Sequence, residues 1–289
     1  VTLVSMDFFA HCEMLVRAGD KERFLSALFA PAQHRGALFA LYAFNLEIAR
    51  IREVVHNPLA GEIRLEWWRE ALRGEGRGSV EGHPVAAALR ATILNYGLSA
   101  EQLTQILDAR SFDLGTEPMR SKRDLEAYAE ATSSNLIFLA GVVLDGAAVS
   151  ESADLVHHAG VGAGVAGLLK AFPIHARRGQ IYLPLEILQR HGGEADEITR
   201  RVATPSLYAA LAELRDTARQ HLQRARALFK NAPPAAFAAF LPVALAGPTL
   251  RLMERQGYNP FVELDLAPWR KQWLIWRAAH NPALIFATS

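Results

Sequence analysis

Apolar side chains recur at three- and four-residue intervals through nearly the whole chain, and no alternating run of Val, Ile and Thr bounded by turn residues breaks the pattern. Such a chain is expected to be all-α. The clearest stripe lies between Gln33 and Val55, where Leu38, Leu41, Phe44, Ile48, Ile51 and Val55 share a face. Further helices are expected over 59–72, 84–96, 99–113, 121–144, 153–170, 204–229, 235–255 and 268–280. Start signals support several of them: Ser99 precedes Gln102 by three residues, Ser121 precedes Asp124 by three, and Thr204 stands before Pro205.

The 289 residues are 51% hydrophobic and 21% charged, enough apolar material for a large core and too little charge for a disordered chain. The Gly-rich breaks at 74–82 and 192–193 are too short for linkers, so one domain over 1–289 is expected. Thirty-one basic residues balance 30 acidic ones, leaving a net charge of +1, so no global field recruits nucleic acid. The lone Cys12 permits no internal disulfide and suits a reducing compartment. Asp7 and Glu13 interrupt the first twenty residues, so no secretory signal is expected there. The uncharged stretch 231–250 carries four prolines and is expected to be a buried helix, not a membrane span.

Most local motifs have structural explanations. Gly162, Gly164 and Gly167 match Gly-x-Gly-x-x-Gly, but no strand precedes them, so close helix packing is the preferred reading over dinucleotide binding. His157 and His158 are adjacent and are expected to point apart on a helix, and no metal site is expected. Ser133 and Ser134 lack a nucleophile elbow. Trp67 and Trp68 are expected to place one ring in the core. Trp269, Trp273 and Trp276, beside Arg270, Lys271 and Arg277, fit either a lipid interface or docking on the bundle, with docking preferred.

Larger blocks carry more information. Leu28-Phe29-Ala30-Pro31, Arg35, the run from Ala37 to Phe44, Trp67-Trp68-Arg69, Asp113-Leu114 with Glu117-Pro118, Leu125-Glu126-Ala127-Tyr128 and the run from Arg178 to Pro184 resemble, in order and spacing, the squalene/phytoene synthase family. The resemblance implies an all-α isoprenoid (terpenoid) synthase bundle around a central cavity, with two Asp-rich motifs that hold magnesium against a prenyl diphosphate. There Mg²⁺ stabilises the departing diphosphate, and apolar walls protect the carbocation.

By the family's spacing the first motif, Asp-Asp-x-x-Asp, falls on Ala49, Arg50 and Glu53, and the second, Asn-x-x-x-Asp-x-x-x-Asp, on Gly167, Ala171 and His175. Only Glu53 is a carboxylate. Positions 167, 171 and 175 are four apart, so the face is expected to persist without its chemistry. Arg50, Arg52, Lys170, Arg177 and Arg178 further disfavour a cluster of divalent cations. No metal or cofactor is therefore expected. Magnesium returns only if the chain is a prenyltransferase with an altered, arginine-rich diphosphate site.

Phe44-Asn45-Leu46-Glu47-Ile48-Ala49, Ala176-Arg177-Arg178 before Ile181-Tyr182-Leu183-Pro184, and Tyr128-Ala129-Glu130 with Ser133-Ser134 are similar to the branch of synthase-like assembly factors of respiratory complex I. That likeness implies a non-catalytic assembly or binding factor, with complex I subunits or assembly proteins as partners and a prenyl or other apolar molecule as cavity ligand. By motif position, Tyr42, Tyr128 and Tyr182 would line the cavity, and Arg35, Arg50 and Arg178 would stand at its former diphosphate end. With no Arg/Ser-rich presequence, a bacterial protein is expected, cytoplasmic, with peripheral contact at the inner face of the cytoplasmic membrane.

Overall fold

Helix boundaries follow the capping chemistry closely. In a computed structural model that describes residues 2–55, 57–75 and 82–287, Ser99 Oγ accepts the Gln102 N–H at 3.2 Å and Thr204 Oγ1 accepts that of Leu207 at 3.1 Å. Ser121 and Asp124 form a reciprocal capping box. Pro84–Tyr96, Ala153–Lys170 and Pro268–His280 are helices as the periodicity expects. Two more, Thr2–Gly19 and Lys21–Ala27, precede the first expected one. Among the described residues there is no strand.

Three expected helices are interrupted. The 33–55 stripe breaks at Arg50, whose N–H bonds to Glu47 O at 3.2 Å, and continues as the short turn Ile51–Val54. Within 121–144, Glu130–Ser134 is π-helical: the Thr132 hydroxyl donates to the Tyr128 carbonyl at 2.7 Å and competes with the regular ladder. Over 235–255, Pro242 lacks an N–H and crowds the carbonyl four residues back, so the path alternates between 3₁₀ and α turns as far as Leu252. It is largely buried, as expected.

The chain forms two compact units, each assembled from three segments. The first comprises Val1–Leu114, Asn135–Ala153 and Ala232–Pro242. At its centre, Ala32–Ala49 is buried on every side from Ala37 to Asn45, and packs against Thr2–Gly19, Pro84–Tyr96 and Asn135–Asp145. Phe44 meets Trp68 edge-on, with ring centres 5.0 Å apart.

The second unit comprises Gly115–Ser134, Asp154–Asn231 and Val243–Ser289. Its glycines permit close approach rather than nucleotide binding. A Cβ on Gly160 would lie 2.3 Å from Ser134 Cα, one on Gly162 3.1 Å from Ala218 O, and one on Gly164 2.9 Å from Ser133 Oγ. The Ala153–Lys170 helix is thereby pressed against both the π-helical turn and the Pro205–Leu228 helix.

Candidate functional site

The C-terminal end of the central Ala32–Ala49 helix supplies Glu47, and Arg50 follows at its cap. Facing them, Pro58–Arg73 contributes Arg64, Trp67 and Trp68, and His83 stands at the N-cap of Pro84–Tyr96. Together with Ile51 and Val54 these residues line a pocket of about 480 Å³ in the first unit. Trp68 belongs to the core while Trp67 is half-buried, as expected, and the His83 ring lies 5.0 Å from the Trp67 ring and 5.5 Å from that of Trp68.

Burial governs the charge of the paired Glu47 and His83 in this pocket. His83 Nδ1 accepts the Ala86 N–H at 3.3 Å, which places the ring proton on Nε2, 3.5 Å from Glu47 Oε2. Burial pushes the Glu47 carboxyl up to about 7, while Arg64 pulls the other way. Burial, with His11 and Arg64, lowers His83. At 3.5 Å the two groups are close enough to form an ion pair, but partial burial disfavours either charge and so favours the neutral partners. Two guanidinium groups beside indole rings suit an anionic head on a flat or apolar body.

Of the first-motif positions, Arg50 lines this pocket, whereas Glu53 is exposed on the Ile51–Val54 turn and Ala49 is half-buried. Arg35 Nε donates to Ala30 O at 2.9 Å, just ahead of Pro31. Tyr42 is 2% exposed, lies 5.9 Å from the Arg23 guanidinium and is held to about 12 chiefly by burial. It belongs to the core and lines neither this pocket nor the one described next.

In the second unit the second-motif register survives. Ala171 N donates to Gly167 O at 2.9 Å and His175 N to Ala171 O at 3.0 Å, which carries the four-residue spacing across the junction between Ala153–Lys170 and Phe172–Arg177. The His175 ring packs 4.5 Å from Tyr182, and Tyr182 5.5 Å from Tyr128, so three expected positions form one cluster. The adjoining cavity, walled by Phe172, His175, Tyr182 and several leucines, holds only about 10 Å³, at the lower limit for one water. Arg178 is exposed.

The basic side chains here need one correction. Lys170 Nζ pairs with Asp265 at 3.1 Å and Arg177 with Glu263, so neither presents an uncompensated charge. The donor set still does not fit magnesium. Gly167 and Ala171 offer no side-chain ligand, His175 no carboxylate, and Glu53 alone cannot hold a hard dication that requires several oxygens.

Sequence reasoning missed Glu47, Arg64 and His83 as a group; the only local signal is the Trp67-Trp68 pair. It also expected His157 and His158 to point apart. Instead their ring centres lie 4.9 Å from each other, because both rings swing toward His221 on the neighbouring helix.

A model of the squalene/phytoene synthase family matches residues 16–277. The chain belongs to that family. A solved dehydrosqualene synthase superposes with a TM-score of 0.82 at 17% identity, covering 96% of this chain and 97% of its own. Squalene synthase HpnC from Alicyclobacillus acidocaldarius gives 0.76 at 25% identity over 90% of this chain and 98% of its own. The fold is thus that of the isoprenoid synthases, as expected. Among relatives by sequence, the rat protein named NADH dehydrogenase (ubiquinone) complex I, assembly factor 6 is 29% identical over 279 residues, 92% of this chain and 84% of that protein. The human protein of the same name is 30% identical over 251 residues, 87% of this chain and 75% of its own.

Proposed function

We propose that this chain is a non-catalytic assembly factor acting in the biogenesis of respiratory complex I, built on a prenyl-synthase fold whose metal chemistry has been lost. The observation that carries the reading is the second-motif face, where the backbone register persists through Gly167, Ala171 and His175 while no side chain there is a carboxylate. The rat and human relatives, named for complex I assembly, support the same reading. Its partners would be complex I subunits or other assembly proteins, and its place the inner face of the cytoplasmic membrane.

Purified protein incubated with farnesyl or geranylgeranyl diphosphate is expected to release no diphosphate, with Mg²⁺ or with chelator. Cells lacking the chain are expected to accumulate less assembled complex I on native gels, restored by the wild-type chain. Magnesium-dependent prenyl transfer by the pure protein overturns the proposal.

A second reading draws on the Arg50 and Arg64 guanidinium groups in the first-unit pocket. Arginines could there replace metal as partners of a prenyl diphosphate, since guanidinium binds such oxygens bidentately. Metal-independent diphosphate release, lost in Arg50→Ala and Arg64→Ala, would favour it over the assembly role.

A further inference from the structure

Two helices of the second unit bring together a group of imidazoles outside both motif positions. His157 and His158 come from Ala153–Lys170, His221 from Pro205–Leu228, and one ring nitrogen from each lies within 4.8 Å of the others. His158 Nδ1 stands 3.0 Å from His221 Nδ1. We propose that His157, His158 and His221 bind a divalent transition-metal ion of the zinc type, with Glu126 and Glu130 orienting two of the rings.

The spacing suits such an ion. Two imidazole nitrogens at Zn–N distances of about 2.0–2.1 Å in a tetrahedral site stand roughly 3.3 Å apart, so the His158–His221 pair needs to open by about 0.3 Å, while His157, whose nitrogen lies within 4.8 Å of the other two, needs to close by at most about 1.5 Å through side-chain rotation. On two of the three rings the outer nitrogen faces a carboxylate, as metal ligands often require. Glu130 Oε1 lies 3.1 Å from His157 Nδ1, and Glu126 Oε1 lies 3.4 Å from His221 Nε2. A carboxylate on one ring nitrogen holds the proton there and leaves the other nitrogen bare for a metal. His157 would thus use Nε2, and His221 would use Nδ1. The π-helical turn that begins at Glu130 sets that carboxylate opposite His157, and Ser134 Oγ fastens the same turn to the His157 carbonyl at 3.1 Å.

The surrounding charge is mixed. Lys122 Nζ approaches Glu126 at 3.7 Å and Arg224 adds positive field, whereas Asp154, Glu126 and Glu130 oppose it. Three protein nitrogens leave a fourth position for solvent. Neither residues 167, 171 and 175 nor the first-unit pocket takes part, so the site is independent of the assembly reading.

The test is titration of the full-length, chelator-stripped chain with Co²⁺ and then Zn²⁺. One equivalent of Co²⁺ should develop the visible absorption of a near-tetrahedral complex, be displaced by Zn²⁺, and resist an excess of Mg²⁺. His158→Gln is expected to abolish the absorption, and Glu130→Gln, which leaves all three ligands in place, to weaken binding by roughly tenfold or more. His280→Gln serves as the control and should bind as the wild type does. Far-UV circular dichroism checks the fold of each variant. Absence of stoichiometric binding by the wild type, or equal affinity in a folded His158→Gln, overturns the proposal.

Discussion

The His83 imidazole presents its Nε2 proton to the Glu47 carboxyl at 3.5 Å while its Nδ1 caps the next helix. Glu47, faced also by Arg64, Arg50 and Cys12, has its carboxyl raised from an ordinary 4.5 to about 7 by burial. The folded state therefore holds this proton more tightly than the unfolded chain does. Its contribution to stability is fully present below about pH 4.5 and is lost as pH rises through about 7. His83 is lowered and acts in the opposite sense at the acid end, losing stability as pH falls. Glu47→Gln should thus gain thermal stability relative to wild type at alkaline pH and lose that advantage on acidification. Parallel Tm curves for the two proteins across this range would contradict it.

Cys12 is wholly buried, and its thiol is pushed up to about 12 by burial and then by Glu47. The thiolate is the reactive form, so native protein should resist alkylation. Iodoacetamide labelling is expected to follow global unfolding and to reach one thiol per chain only in denaturant. Rapid labelling in native buffer would contradict this burial.

The fold is more legible in the sequence than the site is. Pro84–Tyr96 announces itself by proline at its start and by Gly97, which closes it at φ +64°. Thr2–Gly19 is harder to read: Cys12 and Val16, four residues apart, are wholly buried among polar neighbours such as His11 and Glu13. The family motifs locate Arg50 and the 167–171–175 face, because these depend on register. Glu47 with His83, and His157 with His221, are brought together only by tertiary packing. No spacing within one helix shows that a neighbouring helix turns two adjacent imidazoles toward a third.

Two glycines of one helix should respond oppositely to alanine. A Cβ on Gly160 would lie 2.3 Å from Ser134 Cα and 2.5 Å from its N, backbone atoms that cannot step aside. Gly160→Ala is expected to destabilise by about 3 kcal/mol or more. A Cβ on the exposed Gly167 meets nothing within 4 Å, and Gly167→Ala should stabilise by about 0.5–1 kcal/mol through helix propensity. Denaturant titration measures both; equal effects would mean that the Ala153–Lys170 helix does not press on Ser134 as described.

The Pro268–His280 helix buries Leu274, Ile275 and Ala278, yet leaves Trp269, Trp273 and Trp276 70%, 46% and 53% exposed. The face that docks on the bundle and the face that carries the tryptophans are therefore different sides of one helix. The Arg277 guanidinium lies 4.5 Å from the centre of the Trp273 ring. Arg251 is lowered by burial and then by Arg270, Arg219 and Arg277, against Glu254, which also pairs with Arg219, so the surrounding patch is mixed with a basic excess. Indoles beside such a patch suit an anionic bilayer surface, where each basic residue contributes about 1 kcal/mol. The full-length chain should float with vesicles rich in anionic lipid, less so at high salt. Trp273→Ala combined with Trp276→Ala should reduce the bound fraction at least about tenfold while leaving stability within about 0.5 kcal/mol, because exposed side chains far from core features contribute little to folding. If flotation is unchanged in that double variant, the tryptophan face does not mediate membrane contact.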